Sequence, residues 1–209
     1  IGIVGPTGSG KSTLVDILIG LIEPSEGKLI VDNTIINHIN CNYWQKNIGY
    51  VGQNIFLSES SIAENVAFGI PADKIDVNKV KKALNLAQLN KEMSNLDEFI
   101  NTKVGERGLQ LSGGQRQRVG IARALYHEPE ILVFDEATSS LDGITEGKVM
   151  ECIHSLSNKK TIIIISHRLK TVQQCDQIFF INNGKVVDKG IYNELIEKNK
   201  NFMKMAGQT

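Results

Sequence analysis

The sequence has few cysteines and no excess of charge of either sign. Its 209 residues include three cysteines, Cys41, Cys152 and Cys175, an odd number without the spacing of metal ligands. We therefore expect reduced thiols and a cytosolic setting rather than disulfides. Lys plus Arg and Asp plus Glu both number 23, which gives a formal net charge of +0. This balance argues against nucleic acid as the main partner, because such proteins usually carry a basic face.

The sequence also lacks a long apolar run. The longest runs, 162–165 and 178–181, have the length of strands, whereas a membrane helix needs roughly 18–20 apolar residues. No segment has the features of a secretory signal peptide. The chain opens on Ile1-Gly2-Ile3-Val4, a strand pattern without an initiator methionine. We therefore expect a fragment of a longer domain whose N-terminal strands are missing.

Strand and helix patterns alternate along the chain, which predicts an α/β fold with a mostly parallel sheet. Residues 53–128 have mainly helical patterns, including a capping box at Ser61-Ile62-Ala63-Glu64, which predicts a helical subdomain inserted into the core. The predicted division is thus 1–52, 53–128 and 129–209. Strands are predicted at 1–4, 28–31, 47–51, 131–134, 161–165, 177–181 and 185–187, and helices at 12–21, 77–87, 115–126, 149–156 and 192–205.

A glycine-rich segment joins the first predicted strand to the first predicted helix. Triphosphate needs many amide donors at close range, and glycines allow the backbone to approach it. A helix that starts there directs its positive end at the anion. We expect Lys11 to reach the β- and γ-phosphates and Ser12 to ligate Mg²⁺. The predicted nucleotide-binding residues are Gly5, Pro6, Thr7, Gly8, Ser9, Gly10, Lys11, Ser12 and Thr13.

Two carboxylates follow the apolar segment 131–134. Asp135 ends this predicted strand, where it can hold the Mg²⁺ shell, and Glu136 is placed to polarise a water for attack on the γ-phosphate. Adjacent acids after a strand often lie in a solvated loop. Beside a phosphate cradle, they indicate an ATP-hydrolysing site with Glu136 as general base.

A glycine turn, Leu111-Ser112-Gly113-Gly114-Gln115, opens another predicted helix. With Gln117-Arg118 and the segment 121–125, it resembles the signature of the ABC-type ATPases, and the segments 104–108 and 135–142 resemble the exporter branch of that family. The resemblance covers essentially the whole chain. It implies the P-loop core of the ABC ATPase fold, with ATP and Mg²⁺ as cofactors. It also implies two copies packed head to tail, with Leu111, Ser112, Gly113, Gly114 and Gln115 of one copy over the γ-phosphate in the other's cradle.

The resemblance assigns roles to four further residues. Gln53 is similar to a lid glutamine that touches Mg²⁺ and the attacking water, although Gly52 stands where the family often has proline, so we expect a looser hinge. His167 is similar to a switch histidine that contacts the γ-phosphate. Asp142 is similar to a loop residue that crosses to the partner's site. Glu106 resembles a coupling residue, with a plain charged loop as the alternative reading.

The favoured function is the ATPase of a membrane exporter at the cytoplasmic face, with a second copy and transmembrane domains, fused or separate, as partners. Weaker similarity links it to bacterial flippases for lipid-linked sugars. The alternative is a soluble ABC-type ATPase that acts on DNA or the ribosome, for which residues 12–111 are too short to hold long coiled coils. A degenerate sensor is disfavoured because Lys11, Asp135, Glu136 and His167 are present. No residue is assigned to adenine stacking, since Tyr43 and Trp44 are expected to pack instead.

Overall fold

The computed structural model describes residues 1–89, 96–139, 141–157 and 159–207. They form two compact units. The first contains Ile1–Ile48, Val133–Glu136 and Thr161–Thr209, and the second contains Gly49–Leu132 and Ala137–Lys160. The predicted boundaries at residues 52 and 128 stay a prediction.

The first unit is built on a mostly parallel sheet, as predicted. Its central strand, β1 (Gly2–Val4), pairs in parallel with both β6 (Thr161–Ser166) and β7 (Ile178–Asn182). Such a strand is an unbroken buried run because both of its faces are covered, and all three residues of β1 are buried. Beyond β7 lies β8 (Lys185–Gly190), which is antiparallel to it; β5 (Ile131–Asp135) ends in this unit, and β4 (Ile48–Val51) falls almost wholly in the second.

Helix α1 (Lys11–Leu18) ends three residues earlier than predicted. Gly20 has a φ of 73°, a left-handed conformation that stops the helix. Leu21, the last residue of the helix predicted at 12–21, therefore lies beyond the helix and is 67% exposed.

The C-terminal part of the first unit differs from the single helix predicted at 192–205. After α8 (Leu169–Val172), the chain forms α9 (Tyr192–Lys198) and α10 (Lys200–Met205). Asn199 separates them, because its side chain accepts hydrogen bonds from the amides of Asn201 and Phe202 and so begins a new helix. Phe202 is the buried residue of α10, whereas Met203 and Met205 are half-buried.

A hairpin that the sequence pattern did not reveal follows α1. Strand β2 (Leu29–Val31) pairs with β3 (Thr34–Ile36) in antiparallel register. Asp32 and Asn33 form the turn with φ values of 46° and 65°, the geometry of a two-residue hairpin loop with both central residues left-handed. Of this hairpin only β2 was predicted, at 28–31.

Helix α2 (Cys41–Gln45) carries the two aromatic residues considered for adenine stacking. The Trp44 Nε1 donates a hydrogen bond to the Leu18 carbonyl at 2.7 Å, so Trp44 packs on the end of α1. Tyr43 is 72% exposed. The expected packing role is therefore found for Trp44.

The second unit is helical over most of its length. Helix α3 (Ile62–Val66) begins with the predicted capping box: Ser61 Oγ accepts from the Glu64 amide, and Glu64 Oε2 accepts from the Ser61 amide. No described helix is both long and apolar enough to cross a membrane. The other helices are α4 (Val77–Leu86), α5 (Leu96–Asn101), α6 (Gly113–Leu125) and α7 (Gly143–Leu156).

Helices α6 and α7 begin earlier than predicted, at Gly113 and Gly143 rather than at 115 and 149. The reason is side-chain capping by Ser112 and Asp142, which satisfies the first amides of each helix and extends it towards its N-terminus.

Candidate active site

The predicted phosphate cradle is the loop that joins β1 to α1. A Cβ on Gly5 would lie 2.1 Å from the carbonyl oxygen of Ile181 in β7, so no side chain fits there. Gly8 and Gly10 have φ values of 76° and 97°, in the left-handed region that favours glycine. The Ser9 carbonyl accepts a hydrogen bond from the Gly184 amide at 2.9 Å. The loop is thus fixed from behind by the turn that follows β7.

Lys11 lies inside this loop. Its Nζ donates to the carbonyl oxygens of Gly5 and Pro6, both at 3.0 Å, and the residue is 7% exposed. Burial lowers the pKa of Lys11, and the negative charges of Glu136 and Asp135 oppose that shift. The ammonium group is therefore in the field of both predicted carboxylates, Glu136 as general base and Asp135 as Mg²⁺ ligand.

The start of α1 has the donors that a phosphate needs. Among the described residues, no side chain caps its first turn, and the first amides of an α-helix have no partner within the helix. Ser9 is 3% exposed, and its Oγ has no hydrogen-bond partner among those residues. Ser12 and Thr13 are exposed on the first turn. An oxygen-rich anion fits this set, because it would accept from the amides and the buried hydroxyl.

The two carboxylates lie at the end of β5, beside β6. The Glu136 amide donates to the Ile165 carbonyl at 3.0 Å, and its Oε1 is 3.2 Å from Nδ1 of His167. Glu136 has a φ of 49°, which is uncommon for a residue with a side chain and typical of functional sites. The first unit therefore brings Lys11, Asp135, Glu136 and His167 together.

Other predicted site residues belong to the second unit. Gln53 is exposed, and its Nε2 donates to Ser139 Oγ at 3.1 Å. Glu106 is exposed at the start of a short 3₁₀ turn, Glu106–Gly108. Asp142 caps α7: its Oδ1 accepts from the amides of Ile144 and Thr145, both at 3.1 Å. Hydrogen bonds from the side chain and then the backbone of Thr145 lower the pKa of Asp142.

The signature segment forms a second capping box. Ser112 Oγ accepts from the Gln115 amide at 3.2 Å, and Gln115 Oε1 accepts from the Ser112 amide at 3.0 Å. Leu111 is buried, while Ser112 is exposed. This reciprocal pairing satisfies two donors at the start of α6 and leaves the hydroxyl proton of Ser112 available for donation.

Sequence reasoning missed Ser139 and Ile181. Ser139 lies in the segment 135–142, close in sequence to the two carboxylates. Its hydroxyl could have indicated a hydrogen-bond partner for Gln53. Ile181 acts through its backbone, which no residue pattern reveals. The described residues contain no cluster of three or more His, Cys, Asp or Glu that could hold a metal ion.

A family model described as ABC transporter matches residues 1–139. The ATP-dependent lipid A-core flippase of Cupriavidus metallidurans is 40% identical over 200 residues, which cover 95% of this chain and 34% of that protein. The multidrug resistance ABC transporter ATP-binding and permease protein of Lactococcus lactis is 37% identical over 208 residues, which cover 100% of this chain and 35% of that protein.

A solved structure of a bacterial Atm1-family ABC exporter with ATP bound is similar over 99% of this chain and 36% of that chain. The TM-score is 0.86 at 35% sequence identity. This similarity confirms the predicted fold class. The chain spans about a third of the length of these relatives.

Proposed function

The chain is an ATPase domain of the ABC transporter family. From this premise we propose that two copies of it hydrolyse MgATP between them to drive an exporter. In this proposal the two copies form a homodimer at the cytoplasmic face of a membrane, joined to transmembrane domains. Relatives named as flippase and multidrug permease favour this function over action on DNA or the ribosome.

The observation that carries the proposal is the grouping of Lys11 with Glu136 and His167 in the first unit. Glu136 polarises the attacking water. Nδ1 of His167 lies 3.2 Å from the Glu136 carboxylate and orients that carboxylate. Lys11 moves from the loop carbonyls to the phosphates and balances the charge that develops during transfer.

Mg²⁺ fits the same site. In the first unit Ser12 offers a hydroxyl and Asp135 a carboxylate; Gln53, the further predicted ligand, belongs to the second unit and stays a prediction. One or two protein ligands suffice, because Mg²⁺ in such sites is bound largely by substrate phosphates and water. Bound Mg²⁺ supplies charge neutralisation on the β- and γ-phosphate oxygens.

The signature supports a paired site. The cradle already provides one helix start for a triphosphate, and one small domain hardly needs a second anion-binding helix start for the same ligand. We propose that Ser112 and the amides of Gly113 and Gly114 in each copy contact the γ-phosphate held by the other copy.

Complementation tests this pairing. Two defective variants, Lys11→Met and Ser112→Arg, are co-expressed with different affinity tags in the intact protein and purified by both tags. Each mixed pair then has one site with an intact cradle and an intact signature. We expect ATP turnover well above that of either variant alone, because neither homodimer contains a complete site. Mixed pairs as inactive as the homodimers would contradict the shared site.

In the second unit, hydrogen bonds link the signature helix to residues 102–104, two residues before Glu106. Arg123 on α6 donates through Nε to the Asn65 carbonyl at 2.8 Å, and buried Asn65 donates to the Ser58 and Ser61 carbonyls, both at 3.0 Å. The segment 60–62 then pairs with 102–104, through bonds such as Val104 amide to Ser60 carbonyl at 3.1 Å. Movement of α6 can thus reach the segment that carries Glu106.

The same unit exposes aromatic surface. Phe56 and Phe68 form an edge-to-face pair with ring centroids 6.5 Å apart, and the Arg123 guanidinium lies 4.8 Å from the Phe68 ring centre. Leu57, next to Phe56, lies against Gly108, since a Cβ on Gly108 would be 2.8 Å from Leu57 Cδ1. Exposed aromatic pairs commonly mark interaction sites, which supports a partner at this unit.

Changing Glu106 tests the coupling role. In the intact protein in proteoliposomes, Glu106→Gln is expected to abolish transport of a labelled lipid-linked saccharide while ATP turnover stays within about twofold, because surface changes rarely perturb folding by more than ~0.5 kcal/mol. Glu130→Gln, another exposed carboxylate of the same unit and outside this path, is the matched control. Transport equal to that of the control would defeat this assignment.

A further inference from the structure

Helices α6 and α7 meet at their first turns, at Gly114 and Thr145. A Cβ on Gly114 would lie 2.3 Å from Thr145 Cγ2, 3.7 Å from its Cβ and 4.0 Å from its Oγ1. Only the methyl group therefore excludes a side chain at Gly114. A Cβ would need to move by about 1 Å to reach ordinary contact with that methyl, which begins at 3.4 Å.

Thr145 is not free to turn its methyl away. Its amide donates to Asp142 Oδ1 at 3.1 Å, and its side chain lies close enough to that carboxylate to lower the pKa of Asp142. A β-branched side chain in a helix has few rotamers. The methyl is thus held over Gly114 by the same residue that caps α7.

The neighbouring glycine has a different environment. A Cβ on Gly113 would lie 3.5 Å from Leu141 Cδ2 and 4.0 Å from Arg116 Nη2, which is ordinary van der Waals contact. Neither Gly113 nor Gly114 has a positive φ, so the backbone permits alanine at both positions. Packing within the chain permits it only at Gly113.

We propose that Thr145 is a positioning residue of the signature, and that Gly114 lacks a side chain because of the Thr145 methyl rather than because of the nucleotide. The contact fixes the start of α6, with Ser112 and Gly113, relative to Asp142. The two segments that face the partner copy are then held as one body. This inference rests on the proposed function, since it assumes that Ser112 and Gly113 contact a triphosphate of the partner.

A size exchange tests the proposal in the intact protein. Gly114→Ala is expected to lower kcat for ATP about 10²-fold, because displacing groups at the reacting centre by about 1 Å lowers the rate by about that factor. Thr145→Ser removes the methyl and keeps the hydroxyl for Asp142, so the double variant Gly114→Ala/Thr145→Ser is expected to return to within about threefold of Thr145→Ser alone. Gly114→Ala/Thr145→Val retains a methyl at that place and should not recover.

Gly113→Ala provides the matched comparison. It should lower kcat without lowering the thermal midpoint, since a side chain fits within the chain, and Thr145→Ser should not restore it. Failure of Thr145→Ser to rescue Gly114→Ala, or wild-type turnover by Gly114→Ala alone, would overturn the proposal. Rescue by Thr145→Val equal to that by Thr145→Ser would also overturn it.

The thermal midpoint separates this inference from the proposed function. If the wild-type protein has ATP turnover and the exchange rescues neither kcat nor the midpoint, the inference fails and the proposed function stands. If the wild-type protein lacks ATP turnover, the proposed function fails, and the positioning role with it. Recovery of the midpoint in Gly114→Ala/Thr145→Ser then still decides whether the Gly114–Thr145 contact exists.

Discussion

Replacing Glu136 with glutamine is expected to lower steady-state ATP hydrolysis by about 10²–10⁴-fold, the usual contribution of a general base. Glutamine has nearly the same shape and can still accept from a ring N–H of His167, 3.2 Å away. It cannot take a proton from water. The cradle, Lys11 and the signature are unchanged, so ATP should still bind and close the pair of copies.

The measurement has two parts in the intact protein: phosphate release at saturating ATP, and retention of labelled ATP after gel filtration. We expect release to fall to background and ATP to be retained in a closed dimer. Glu151→Gln, an exposed carboxylate on α7, is the control and should leave both unchanged. Turnover near the wild-type rate in Glu136→Gln would remove Glu136 from the role of base.

Local sequence patterns predicted those parts of the fold that local interactions determine. The capping box at Ser61 and Glu64 needs only residues three apart, and it occurs as predicted. The strand patterns at β1, β5, β6 and β7 succeeded because parallel strands covered on both faces are continuous apolar runs. The carboxylates and His167 follow such strands directly, so their places in the chain were predictable.

Contacts between distant parts of the chain could not be predicted. A side chain at Gly5 would clash with the carbonyl oxygen of Ile181, and a side chain at Gly114 would clash with the methyl group of Thr145. Both glycines stand in a recognisable motif, yet the residues that exclude their side chains lie elsewhere in the sequence. Strand β3 (Thr34–Ile36) was also missed, because it is defined by its antiparallel pairing with β2.

The two helix starts of the proposed paired site differ in how their amides are satisfied. Among the described residues, no side chain caps the first turn of α1, whereas α6 is closed by the reciprocal bonds of Ser112 and Gln115. Unpaired amides are costly only where water cannot reach them. The cradle can therefore receive an anion without breaking a side-chain cap. The start of α6 has its own partners until a second copy presents a phosphate.

Lys11→Met is expected to weaken ATP binding by at least about a hundredfold. In the proposed site Lys11 supplies the cation for the β- and γ-phosphates. Hydrogen bonds to charged groups contribute about 1.5–3 kcal/mol each, and ~1.4 kcal/mol is tenfold in affinity. The fold should survive, because burial lowers the pKa of Lys11 and so disfavours its charged form. Methionine has a similar length and no charge to bury.

Titration calorimetry with ATP, paired with thermal unfolding in the absence of nucleotide, separates these two effects. Lys170→Met changes an exposed lysine of the same unit and should bind ATP normally. Lys11→Arg restores the charge but not the compact shape, since a guanidinium is a planar fork and Lys11 is buried among loop carbonyls. We therefore expect arginine to rescue binding poorly. Affinity within threefold of wild type in Lys11→Met, with an unchanged thermal midpoint, would show that the cradle binds its anion through backbone amides alone.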